Sequence, residues 1–365
     1  MQIPDNRLDR LFQAHQEEYE EAALRALRSG WYVLGREGAA FEGEFAAFCG
    51  SRYCVGLNSG LDALVLAIRA LDIGAGDEVI VPSNTYIATV LAVTENGATP
   101  VFVEPDVYYN MDAKKIEAAI TDKTKAILPV HLYGQAANMG PMVKIAREYG
   151  LYLLEDCAQS HSACFEGKMT GTFGDIGCFS FFPTKNLGAF GDAGAIVTDN
   201  GELADKVRKL RNYGSAKKYH NELQGVNSRL DEIQAALLRV RLPHLPEIVA
   251  ERQRIAAAYL AEIKNPLVQL PGQRRGAEHI WHLFVVESAE RDALQAHLAA
   301  ADIHTQIHYP IPPHLAACYS ELGYHKGDFP IAEKIAESVL SLPLYNGMTD
   351  AEVDYVVTAV NAFGS

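Results

Sequence analysis

The sequence predicts an α/β protein: a mostly parallel central sheet covered by helices, followed by a smaller C-terminal α/β domain. Two observations carry this. Short apolar runs bounded by turn residues alternate with stretches at helical spacing, the pattern of strands joined by crossover helices. A chain of 365 residues is also long enough for one large domain and a second, smaller one. The division is expected near residue 244, giving a large unit over 1–244 and a small one over 245–365.

Leu8, Leu11, Phe12, His15, Tyr19, Ala22 and Ala26 fall at helical spacing, and Gly30 can end that helix. Phe41, Phe45 and Phe48 mark a second, short helix. Tyr53-Cys54-Val55-Gly56-Leu57 then reads as a buried strand, and Asn58-Ser59-Gly60 turns into a helix from Leu61 to Leu71. Glu78 to Pro82 is a second strand, Ile87 to Glu95 a helix, and Thr99 to Val103 a third strand. Ala126 to Val130 and Leu151 to Glu155 follow, with a helix from Met142 to Tyr149 between them. Phe179-Ser180-Phe181 and Ala195 to Thr198 add two more strands. Ile233 to Glu262 is a Pro-containing helical connector. Beyond it, His282 to Val286 is strand-like and a closing helix starts near Asp350. Such a sheet binds ligands at the carboxyl ends of its strands.

The composition is 48% hydrophobic and 21% charged, with a net formal charge of −14. No basic stripe is present, which argues against a nucleic-acid binder. The six cysteines form no CxxC pair and fit no zinc template, so no metal is expected and reduced core thiols are. No signal-peptide pattern and no apolar run of membrane-spanning length occur, so the expected location is the cytoplasm.

One lysine stands out. Lys185 lies in the aromatic and glycine-rich stretch from Phe179 to Gly194, with little other charge before Asp192. Such surroundings lower a lysine's pKa and suit it to Schiff-base and proton-transfer chemistry. Asp156 ends an earlier apolar run. A lysine after one strand and a carboxylate at the end of another form the arrangement pyridoxal phosphate needs: the amine holds the aldehyde, and the carboxylate pairs with the protonated ring nitrogen. Glu155 is the competing acid, but on a strand it points to the other face. Gln159 is close enough in sequence to reach the ring hydroxyl. Ser59-Gly60, between a strand and a helix, suits a phosphate, although the same pair is an ordinary helix cap. Tyr86 either stacks on the ring or packs in its loop. Ser180 either donates to the phosphate or closes a local turn.

These motifs resemble the DegT/DnrJ/EryC1/StrS sugar aminotransferases, which have the aspartate-aminotransferase-like fold (fold type I). The likeness runs nearly end to end. It rests on Gly35-Arg36-Glu37-Gly38 with Phe41 to Phe45, on Glu155 to Ser160, on Ser180 to Gly188, and on Gly191-Asp192-Ala193-Gly194. The resemblance implies that Lys185 and Asp156 are catalytic. It implies that Ser59, Gly60, Tyr86, Asp156, Gln159, Ser180, Lys185 and Asn227 bind pyridoxal 5'-phosphate, which becomes pyridoxamine 5'-phosphate within the cycle. Asn227 would reach the phosphate in a partner subunit, so a homodimer with shared sites is implied.

Within the family, Asn58 to Leu64, Tyr219-His220-Asn221, Asn227 to Asp231, and His308-Tyr309-Pro310 with Pro312 to Leu315 resemble enzymes acting at C3 of a dTDP-linked keto-sugar. The implied reaction moves an amino group from L-glutamate to a dTDP-3-keto-6-deoxyhexose. Tyr219, His220, Arg229, His308 and Tyr309 then become candidates for the sugar or nucleotide pocket. A 4-keto nucleotide-sugar aminotransferase, a PLP-dependent sugar dehydratase and a non-catalytic regulator are the competing readings. Relatives that deoxygenate carry histidine at the lysine position, whereas this chain carries Lys185.

Overall fold

The computed structural model describes residues 1–364. Its centre is a seven-stranded sheet. In chain order the strands are β1 (Tyr53–Leu57), β2 (Glu78–Pro82), β3 (Thr99–Val103), β4 (Thr124–Ile127), β5 (Tyr152–Asp156), β6 (Ile176–Ser180) and β7 (Gly194–Thr198). Across the sheet they run β1-β7-β6-β5-β4-β2-β3. Strand β7 is antiparallel to both neighbours, β1 and β6; the other pairings are parallel. The expected strand over 126–130 begins earlier and stops at Ile127, before Pro129, which has no N–H to give a ladder.

The helices are α1 (Leu8–Ala14), α2 (Gln16–Arg28), α3 (Arg36–Cys49), α4 (Gly60–Ala70), α5 (Ile87–Thr94), α6 (Met139–Tyr149), α7 (Gly201–Leu210), α8 (Glu232–Glu262), α9 (Arg291–Ala300), α10 (Pro330–Ser338) and α11 (Asp350–Asn361). The single N-terminal helix expected from periodicity is in fact two. His15 leaves the helical region (φ −135°, ψ 31°), and α2 starts afresh behind it. Conversely, α8 runs unbroken through Pro243 and Pro246.

Strand periodicity divides the core. Val79 and Val81 of β2, Leu154 of β5 and Cys178 of β6 pack with α4, α5 and α7. Their neighbours in sequence face the other way: Ile80 and Leu153 meet α6, while Phe179 and Ala195 meet Phe41 and Phe45 of α3 and Leu238 of α8. Farther along α8, Ile255 and Tyr259 join another core with Phe284 and Val286 of β8 (Phe284–Glu287), Leu340 and Leu342 of β9 (Val339–Leu342), and residues of α9 and α11. Strands β8 and β9 pair antiparallel. Ile3 also belongs to that core: its N–H donates to Asp302 O and its carbonyl accepts from His304 N, both at 2.8 Å. Among the described residues no helix is long and apolar enough to cross a membrane.

The segment Gly35 to Gly38 has a structural task. Buried Glu232, at the start of α8, accepts from Gly35 N (2.9 Å), Gly38 N (2.8 Å) and Glu37 N (2.8 Å). These are donors at the N-terminus of α3 that have no partner within the helix. A Cβ at Gly35 or Gly38 would stand 2.6 or 2.8 Å from the Glu232 carboxylate, so both positions need glycine. Glu232→Ala should therefore destabilise the protein by about 2–3 kcal/mol, since one buried and two part-buried donors lose one acceptor group. Glu232→Gln, which keeps one acceptor oxygen, should lose less. Denaturant midpoints of the two variants check the order.

Candidate active site

A cavity of about 440 Å³ opens at the carboxyl ends of β5 and β6. Lys185 stands in its wall, on the loop leaving β6. That loop is tightly held. Lys185 N donates to Phe182 O at 2.8 Å and Ala189 N to Phe181 O at 2.7 Å. From α8, the buried Arg241 guanidinium donates to Gly188 O (2.9 Å) and Lys185 O (3.3 Å). A Cβ at Gly188 would lie 2.4 Å from Pro183 O, so this turn also requires glycine. Burial lowers the Lys185 pKa to about 8, against the attraction of Asp156, which raises it.

Asp156 is buried at the end of β5 and lines the same cavity. Its Oδ2 accepts from Thr89 Oγ1 (2.8 Å) and its Oδ1 from Ala158 N (3.1 Å). Burial raises its pKa; these two hydrogen bonds and the charge of Lys185 act the other way. Glu155 points to the opposite side, as strand alternation requires. There it accepts from Gly171, Phe173 and Gly174 N–H groups and meets His131 Nε2 at 3.0 Å. Ala137 N donates to His131 Nδ1, so Nε2 carries the ring proton toward Glu155. Glu155 is thus fully used behind the sheet, and Asp156 is the acid that faces the cavity.

The local-turn readings of Ser59 and Ser180 are both present. Ser59 Oγ accepts from Asp62 N at 3.1 Å as the cap of α4, and Ser180 Oγ accepts from Phe182 N at 3.3 Å. Neither bond uses the hydroxyl proton, so both serines can still donate into the cavity, beside the free N–H groups that begin α4. Space is reserved there: a Cβ at Gly60 would lie 2.5 Å from Ser180 Cβ, and one at Gly194 would lie 2.2 Å from Ser59 O. Two donor hydroxyls, a helix N-terminus, a buried carboxylate and a buried amine are the donor set that pyridoxal phosphate requires.

Tyr86 is 54% exposed, and its ring lies 5.2 Å from that of Tyr309, tilted by 37°. Gln159 joins the two sides of the cavity. Its Oε1 accepts from Tyr133 N (2.6 Å), which turns its Nε2 toward Tyr309 Oη (3.1 Å). His308 lines the cavity too, with Nδ1 2.8 Å from Ser341 Oγ.

The model of the DegT/DnrJ/EryC1/StrS aminotransferase family matches residues 13–361. The chain belongs to this family. It is a pyridoxal-phosphate-dependent sugar aminotransferase. It is 53% identical over 363 residues, 99% of each chain, to the dTDP-3-amino-3,6-dideoxy-α-D-galactopyranose transaminase of Aneurinibacillus thermoaerophilus. It is 47% identical over 330 residues, 90% of this chain and 89% of the other, to the UDP-N-acetyl-3-dehydro-α-D-glucosamine 3-aminotransferase of Acidithiobacillus ferrooxidans. Its structure resembles that of S. venezuelae DesV in complex with a ketimine intermediate, with a TM-score of 0.97, 46% identity, and coverage of 99% of this chain and 98% of that one.

In this aminotransferase the cavity gathers nine of the thirteen residues expected at the site: Ser59, Gly60, Tyr86, Asp156, Gln159, Ser180, Lys185, His308 and Tyr309. It does not gather Asn227, Tyr219, His220 or Arg229. Asn227 bridges Asn212, and Arg229 donates to Asn212 Oδ1 at 3.0 Å and lies over the Tyr213 ring. Tyr219 (86% exposed) and His220 lie on a small exposed hairpin and do not line the cavity of their own chain. Several residues of the site carry no local sequence signal: Asp5, Arg252 and Gln306, which line the cavity from distant segments, and Thr89, which is buried outside the lining and orders Asp156.

The lowered Lys185 pKa has a measurable consequence. Below about pH 8 its amine is protonated and unreactive; above it, neutral and nucleophilic. In the apoenzyme, modification of Lys185 by an amine reagent should be half-maximal near that pH, against about 10.4 for an exposed lysine. In Asp156→Asn, which removes the stabilising negative charge, the midpoint should move lower still. Peptide mass spectrometry across a pH series checks both.

Proposed function

We propose that this aminotransferase moves an amino group from L-glutamate to C3 of a dTDP-linked 3-keto-6-deoxyhexose, giving a dTDP-3-amino-3,6-dideoxyhexose. The observation that carries the reading is the buried Lys185 amine facing one cavity with the buried Asp156 carboxylate. The end-to-end likeness to a transaminase named for such a product supports the choice of sugar.

Lys185 would hold the cofactor covalently, Asp156 would pair with its ring nitrogen, and Gln159 would contact its ring hydroxyl. Ser59, Gly60 and Ser180 would take its phosphate, and Tyr86 would cover its face. When bound, the cofactor supplies the electron sink that makes a proton on the neighbouring substrate carbon removable. Lys185 Nζ, in its neutral form, would take that proton and later give it back, acting as base and acid in turn. A pKa near 8 suits both roles at neutral pH. Asp156 holds a proton on the ring nitrogen, and Thr89 fixes the direction of its Oδ2.

Asn227, Tyr219, His220 and Arg229 serve, in this reading, the site of a second copy of the chain. Their absence from their own cavity and the exposure of Tyr219 support a homodimer with shared sites. The donors of His220 and Arg229 would meet the charged nucleotide part of the substrate.

Lys185→Ala should lower turnover at least about a thousandfold and remove the visible absorbance of the bound cofactor; normal turnover would refute the assignment. Asp156→Asn should still bind the cofactor but turn over slowly. For the substrate, the purified enzyme with L-glutamate should aminate a dTDP-3-keto-6-deoxyhexose, of galacto or gluco configuration, in preference to the 4-keto isomer and to UDP-linked 3-keto-sugars. Mass spectrometry of the products decides.

A further inference from the structure

The chain's first residues form part of the active-site wall. Asp5 and Asn6 line the cavity that holds Lys185, although Lys185 lies far along the sequence. They are anchored there. Ile3 pairs in parallel with Ile303 and is buried. Gln306, three residues on, is tied to Ser341 of β9 through both backbone groups (3.3 and 2.8 Å). Its side-chain Nε2 donates to Asp5 Oδ2 at 2.8 Å. His308 contacts the same Ser341 through its hydroxyl. Asp5, Gln306 and His308 therefore make one polar rim on the β9 side of the cavity.

Among the described residues no cationic side chain forms an ion pair with Asp5. Arg7, the nearest cation in sequence, is engaged with Asp9 at 2.6 Å. Gln306 occupies only one oxygen of Asp5, which is exposed at the cavity rim; among the described residues no donor is hydrogen-bonded to Oδ1, which is open to a ligand entering there. A bare carboxylate repels phosphates and other carboxylates, whereas it accepts strongly from a hydroxyl. The substrate proposed above carries both kinds of group: a charged diphosphate and a neutral sugar with hydroxyls.

We infer that Asp5, oriented by Gln306, accepts a hydrogen bond from a ring hydroxyl of the keto-sugar, so that the N-terminal segment is a specificity determinant of the second half-reaction. It also directs the diphosphate away from this wall. The inference rests on the keto-sugar reading, since glutamate offers no hydroxyl.

The test compares wild type with Asp5→Ala and Asp5→Asn as holoenzymes, with thermal midpoints measured to show that all three fold. In Asp5→Ala, kcat/KM for the keto-sugar should fall about 10- to 100-fold, the effect of losing a charge-assisted hydrogen bond. The glutamate half-reaction, followed by absorbance, should not weaken, because glutamate has no hydroxyl to lose and removing the Asp5 charge only relieves repulsion of its carboxylates. Asp5→Asn, which keeps a neutral acceptor, should recover part of the loss. Sugar analogues lacking one ring hydroxyl should be penalised in wild type but not further in Asp5→Ala for the hydroxyl concerned. Unchanged sugar kinetics, equal losses in both half-reactions, or a full deoxy penalty persisting in Asp5→Ala for every hydroxyl would each overturn the inference. A wild type that exchanges with glutamate but aminates no keto-sugar would instead refute the function reading. Asp5 is then judged by calorimetric binding of the dTDP-linked aminosugar, where equal affinity in wild type and Asp5→Ala overturns its role.

Discussion

Neighbouring residues on a strand point to opposite faces, and the site depends on that alternation at two adjacent strand ends. At the end of β5, Leu154 and Glu155 fix the direction of Asp156. Leu154 is locked into the apolar layer with α4 and α5, and Glu155 is tied behind the sheet by three backbone donors and His131. At the end of β6, Phe179 and Phe181 are buried against Phe45, with ring centroids 5.0 and 5.1 Å away. Ser180 between them faces the cavity. A shift of one residue in either strand would bury the catalytic groups and turn apolar ones to the ligand, so packing on the far side enforces the chemistry on the near side.

The second constraint is charge. A buried amine and a buried carboxylate share one cavity, and burial disfavours the charged form of both: it lowers the lysine's pKa and raises the aspartate's. Their attraction offsets part of this without bringing them into an ion pair. Among the described residues the amine has no ion-pair partner, and the carboxylate is held by Thr89 and Ala158. Arg241 completes the arrangement from outside the cavity. Its donors go to the carbonyls of Lys185 and Gly188, so it fixes the loop backbone without engaging the amine.

Much of this was legible in the sequence because it was written locally. Lys185 among aromatics, Asp156 at the end of an apolar run and Ser59-Gly60 before a helix are each confined to a few residues, and strand alternation alone separated Asp156 from Glu155. The N-terminal break was not legible: the apolar spacing from Leu8 to Ala26 continues across His15, and only the backbone shows the interruption. The task of Gly35 and Gly38 was also hidden, because it is set by Glu232, almost two hundred residues away. Asp5, Gln306 and Arg252 escaped for the same reason. They are ordinary polar residues until tertiary structure brings them to one cavity.

The turns at Ser59 and Ser180 show how a local motif can be satisfied and still keep a donor free. A serine that caps a helix and a serine that closes a turn are satisfied as acceptors, and in that sense need no ligand. Capping, however, orients the oxygen toward the backbone and leaves the O–H proton directed elsewhere. Gly60 lets β6 approach the α4 terminus closely, both serines line one cavity, and Gly194 keeps the backbone of β7 clear of Ser59 O. Each serine is therefore held by its local bond and still keeps its hydroxyl proton for a donor role.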